Sequence, residues 1–78
     1  MTLAQDVETG VPNEVYDLIL LLQQASSDVV RYESFVRDAD AAGDKELATW
    51  FHELADSDRE IVMKATRLLR SRLSRVAI

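Results

Sequence analysis

No cysteine occurs in this chain of 78 residues. That excludes a disulfide framework, a thiolate metal site and a cysteine nucleophile together, and it fits a reducing compartment, with the cytoplasm as the expected location. Glycine appears twice and proline once, so few positions force a helix to stop. The longest apolar run is Leu18-Ile19-Leu20-Leu21-Leu22, far short of the roughly 20 residues that a membrane-spanning helix needs. No basic stretch followed by an apolar one opens the chain, and no secretory signal is expected. Positive charge is in the minority: nine Lys and Arg against 14 Asp and Glu leave a formal net charge of -5. Phosphate backbones and anionic lipid repel such a chain, so neither nucleic acid nor membrane is an expected partner. Phosphate-binding glycine loops, zinc-ligand spacings and nucleic-acid motifs are missing too. His52 is the sole histidine. Without a Ser or Cys constellation around it, it supports no nucleophilic mechanism, and the chain reads more readily as a non-enzyme.

What is present is helical. Hydrophobic residues make up 47% of the chain, and Ala, Leu, Glu, Asp and Arg dominate, as in helical bundles. Residues 1–10 show no period and read as a flexible arm; residues 11–78 read as one helical domain. Pro12 suits a first turn, Asn13 is a favourable N-cap, and Glu14 and Asp17 suit the positive end of a helix dipole. A first helix over about 13–42 then carries a stripe at Val15, Leu18, Leu22, Ala25, Val29, Tyr32, Val36 and Ala39, with spacings of three and four. Gly43 is the natural left-handed residue after its end, and Asp44 the N-cap of a second helix over about 44–74. That helix has its own stripe at Leu47, Phe51, Leu54, Asp58, Ile61, Ala65 and Leu68. The break is short enough to enforce an antiparallel hairpin. It brings the basic end (Lys64, Arg67, Arg70, Arg72 and Arg75) beside the acidic start (Glu14 and Asp17), where charges are expected to pair.

Both helices are too apolar for a lone hairpin. Ile19, Leu20, Leu21, Val30 and Phe35 lie outside the first stripe, and Trp50, Val62, Leu69 and Leu73 outside the second. Two helices cover one stripe apiece, so the remainder calls for more helices. The simplest source is a second copy, giving a homodimeric four-helix bundle. Leu20, Leu21, Trp50, Val62 and Leu69 are the candidate interface residues.

Asp58 is the one acid in an otherwise apolar stripe. Burying it unpaired would cost several kcal/mol, so it needs a hydrogen bond from Tyr32 or Ser26, an Arg across a dimer, a wet edge or a metal. Glu33, Glu53, Asp56 and Glu60 form an acid-rich band nearby, which reads as a solvated face.

The stretch Arg31-Tyr32-Glu33-Ser34-Phe35-Val36-Arg37-Asp38-Ala39, the turn Ala42-Gly43-Asp44-Lys45-Glu46-Leu47 and the segment Trp50-Phe51-His52-Glu53-Leu54-Ala55 together resemble the first helical hairpin of ferritin-like proteins, above all the rubrerythrin-like branch. The resemblance spans roughly Leu18 to Leu69. It implies half of a four-helix bundle, and in that family an inward Glu on helix one and a Glu-x-x-His pair on helix two hold iron or manganese. Matched residue by residue, the helix-two Glu falls on Asp58, the His on Ile61 and the helix-one Glu near Ala25. Only Asp58 keeps a ligand atom, and an altered site would have to draw on further acids such as Glu33. No catalytic residue and no cofactor is therefore expected. The expectation is a protein-interaction or scaffold protein on a degenerate ferritin-like hairpin. The alternative is a metal-binding oxidase, peroxidase or storage protein with an altered carboxylate site. A third reading is a regulatory module whose basic tail from Arg67 to Arg75 engages an acidic partner or nucleic acid, against which the net acidity argues.

Overall fold

A computed structural model describes residues 10–76 of the chain; the segment expected as a flexible arm lies almost wholly outside them. The described residues form two helices, α1 (Asn13–Ala41) and α2 (Lys45–Val76). They form an all-α helical hairpin, and among the described residues there is no strand. Neither helix is long and apolar enough to cross a membrane.

The start of α1 differs from expectation. Pro12, not Asn13, occupies the N-cap, at φ -53° and ψ 145°. Its ring fixes the extended backbone that an N-cap requires, and its carbonyl accepts the first helical bonds from the amides of Val15 and Tyr16 at 3.1 and 3.0 Å. Asn13 becomes the first helical residue. It makes no side-chain cap, and its Oδ1 is buried without a hydrogen-bond partner.

The turn follows the sequence closely. Gly43 sits at φ +74°, where a Cβ would clash with its own backbone. The Asp44 amide donates to the Ala39 carbonyl at 2.9 Å and the Gly43 amide to the Asp40 carbonyl at 3.0 Å, the paired closure of a Schellman motif. Asp44 then caps α2: its Oδ1 accepts from the Leu47 amide at 3.1 Å. One residue thus closes the first helix through its amide and opens the second through its carboxylate.

The contact between the helices is made of small residues. The buried hydrophobic side chains are Val15, Ala25 and Ala39 on α1 and Ala48, Ala55 and Ala65 on α2. On α1 this agrees with the expected stripe. On α2 the seam is rotated by one residue. It runs through Ala48, Ala55, Val62 and Leu69 as well as Phe51, Asp58 and Ala65, while Leu47 and Ile61 are left 37% and 39% exposed. Both registers have heptad spacing. The alanine register wins at the seam because a side chain of one carbon lets two backbones approach closely, whereas a row of leucines would hold them apart. The result is a rod with principal extents of 52 × 23 × 14 Å, a single layer of two helices.

Replacing Asp44 by Ala removes a cap and is expected to lower stability by about 1 kcal/mol. Gly43→Ala, strained by the left-handed backbone alone, is expected to cost about 1–2 kcal/mol. Urea unfolding followed by far-UV circular dichroism measures both, and a neutral Asp44→Ala would contradict the capping role.

Candidate interaction surface

Two cross-helix contacts fix which side of the hairpin each residue occupies. On one side, Arg59 of α2 reaches Glu33 of α1 and also donates to Asp56 at 2.8 Å. His52 stands 3.3 Å from the other oxygen of Asp56. Residues seven apart share a row along a helix, so this side carries Ser26, Glu33 and Asp40 from α1 and His52, Arg59 and Thr66 from α2. It is a polar edge.

On the other side the rings of Phe35 and Phe51 meet at 5.3 Å between centroids. Tyr32 packs edge-on against Phe35 at 5.8 Å, and Trp50 stacks on Phe51 at 5.8 Å. Four of the five aromatic residues of the chain therefore form one cluster that runs from α1 across to α2. Phe35, Phe51, Ala39 and Leu47 also line a shallow groove beside the turn. The rows on this side are Leu21 and Phe35 with Asp28 between them on α1, and Leu47, Leu54, Ile61 and Leu68 on α2. Leu21, Trp50 and Ile61 are 46%, 54% and 39% exposed, while Leu54 and Leu68 are half-buried. Met63, also exposed, lines a groove on the polar edge with Ser26, Val29, Arg59 and Val62, and Val30 is exposed as well.

The four-residue row on α2 makes up four of the seven residues of the stripe assigned from sequence to the contact with α1. It lies beside that contact instead, and it continues the aromatic cluster along the rod. Leu21, Leu47, Trp50 and Ile61 are exposed large apolar residues of this side. Of the candidate interface residues, Leu20, Leu21 and Trp50 are exposed. Val62 and Leu69 are half-buried, with Val62 sharing a groove with Ser26 and Val29 of α1. The rotated seam explains the difference.

Asp58 occupies a seam position and is half-buried. The bonds expected from Tyr32 and Ser26 do not form. Tyr32 turns toward Phe35, and Ser26 lies on the polar edge with Arg59. Within the described residues Asp58 has neither a hydrogen bond nor an ion pair. Glu33, the other candidate ligand, is engaged by Arg59. Ala25 is 4% exposed and Ile61 39%, and neither carries a donor atom. No group of three or more His, Asp or Glu side chains among the described residues is arranged to hold a metal ion. The donor set does not fit the di-metal chemistry that the ferritin-like resemblance implies, since iron and manganese need several oxygen or imidazole ligands each.

The expected pairing of the two charged ends is also not seen within the hairpin. Glu14 and Asp17 make no ion pair, and neither do Lys64, Arg67, Arg70 or Arg75. Arg72 turns to the hydroxyl of Ser71 at 3.2 Å. The ends are held apart by the width of α2: Arg67 and Arg70 project from its outer side.

Comparison with protein-family models, curated proteins and solved structures finds no match to this chain.

The Glu33–Arg59 pair is exposed on both sides, at 46% and 41% of side-chain area. Its loss in Glu33→Gln is expected to change stability by less than about 1 kcal/mol, with the difference shrinking further in high salt. Urea titrations at two salt concentrations test this, and a salt-independent loss well above that value would mean that the pair is shielded in a larger assembly.

Proposed function

We propose that this chain is a non-enzymatic assembly protein: a hairpin of ferritin-like kind that pairs with a second copy into a four-helix bundle and serves as a scaffold for another protein. The observation that carries the reading is the continuous apolar side from Trp50 to Leu68, left open by a hairpin whose own buried contact is nearly all alanine. Aromatic anchors such as Trp50 and Phe35 are the residue types that dominate binding energy at interfaces. The bundle then offers its acidic outer surface, and the net charge of -5 per chain favours a basic partner or surface loop over nucleic acid. The cysteine-free composition is what supports a cytoplasmic setting.

The residues that correspond to ferritin-like ligands support this role over a redox one. Asp58 alone retains a carboxylate, Glu33 is committed to Arg59, and Ala25 and Ile61 provide nothing that binds metal.

Native mass spectrometry of protein purified without chelator tests the reading in one spectrum. The expected species is a metal-free dimer, which Ile61→Glu converts to monomer by placing a charge on the apolar side. A dimer carrying stoichiometric iron or manganese that is lost in Asp58→Ala would overturn the proposal in favour of a metal-dependent protein.

A further inference from the structure

We infer that the second copy seats on the Leu47–Leu68 side about a two-fold axis parallel to the helices, and that Arg31 of each copy there pairs with the partner's Asp58. The inference rests on the dimer proposed above and specifies its face, its direction and the contact that fixes its register.

The face follows from the two unlike sides of the hairpin. The Glu33 side carries the bonded charges of Glu33, Arg59 and Asp56 beside a small groove at Val29, Val62 and Met63, and the Phe35 side is apolar along most of its length. Desolvating the first would strand ionic groups; covering the second removes apolar area from water.

The direction follows from charge. A two-fold axis in the plane of the interface has two choices. Set perpendicular to the helices, it lays the acidic start of α1, with Glu14 and Asp17, against the partner's Asp38 and Asp40, and like charges repel. Set parallel to the helices, it lays α1 antiparallel over the partner's α2. The same acids then meet the basic end, where Arg75, seven residues after Leu68 and in its row, is without a carboxylate partner among the described residues. Glu14, seven residues before Leu21, stands on the same side, so this arrangement brings the two charges together.

The register follows from Asp58. It is half-buried on the margin of the apolar side with no polar partner of its own. Closing a second copy over it would leave an isolated carboxylate in a dry contact, at a cost of several kcal/mol unless a cation arrives with the copy. Arg31 is the cation in position. It is 57% exposed and held by Asp28 at 2.6 Å, and Asp28 lies in the row between Leu21 and Phe35 on the apolar side. The Glu33–Arg59 bond puts Arg31 and Asp58 at nearly the same height along the rod, so the parallel axis brings one over the other. A guanidinium has five N–H donors, so it can keep Asp28 while taking a second carboxylate.

The absence of cysteine makes a direct test possible. Leu21 and Leu68 stand at equal height in the hairpin register, one on each helix. Chains carrying only Leu21→Cys are mixed with chains carrying only Leu68→Cys and oxidised. The expected product is a disulfide between the two kinds of chain, in clear excess over either homodimeric disulfide. Homodimeric disulfides at equal or higher yield would overturn the parallel axis. In parallel, dissociation constants are measured by sedimentation equilibrium for Arg31→Asp, Asp58→Arg and the double swap. Each single change is expected to weaken the dimer by about tenfold or more, and the double swap to recover to within about threefold of the unaltered protein. Additive losses in the double swap would overturn the Arg31–Asp58 pair while leaving the dimer standing. An unaltered protein that stays monomeric overturns the dimer itself, and the pair with it.

Discussion

The close contact between α1 and α2 depends on alanine. Ala25, Ala39, Ala48, Ala55 and Ala65 are buried, and their small size lets the two backbones approach where they meet. Alanine offers little area to remove from water, so the seam supplies geometry more than stability. The larger side chains are displaced to its flanks. On one flank they meet polar neighbours and ion pairs; on the other they accumulate as Leu47, Leu54, Ile61, Leu68 and the aromatic cluster. The sidedness of the hairpin is thus a consequence of how it closes. A seam of leucines would have used these side chains internally and left no apolar edge.

A hairpin closed in this way does not complete a core. A chain of this length has difficulty burying enough apolar surface even when it folds into a globule, and a single layer of two helices buries less. No disulfide can make up the difference, and among the described residues no group of three or more carboxylate or His side chains is arranged to hold a metal ion. The association proposed above would cover the open side, and it would explain why Asp58 can be tolerated in the middle of an apolar stripe. A polar group at such a position contributes little to stability but discriminates strongly between registers when its partner is on another chain.

Much of the fold was legible in the residues. Gly43 and Asp44 placed the turn and the second cap, and the three-and-four spacing from Val15 to Ala39 identified the inner face of α1. The inner face of α2 was not legible, for a definite reason. Its apolar band is wide enough to hold two heptad stripes one residue apart, and hydrophobicity ranks the Leu47–Leu68 stripe above the Ala48–Leu69 one. The choice between them is steric, decided by how near the backbones come, and hydrophobicity does not encode that distance. The cap of α1 was misassigned for a related reason: Asn13 has the better side chain, but Pro12 has the backbone angles. The charge pairing of the ends was legible as an asymmetry but not as an address, because Arg67 and Arg70 point away from the helix that precedes them.

The claim at the centre of this account is that the hairpin owes its stability to a second copy. Thermal unfolding followed by circular dichroism over a hundredfold range of chain concentration tests it most directly. A folded dimer that separates into unfolded chains should show a midpoint rising by roughly 5–10 °C across that range, by mass action. A midpoint independent of concentration, with full helicity at the lowest, would contradict it.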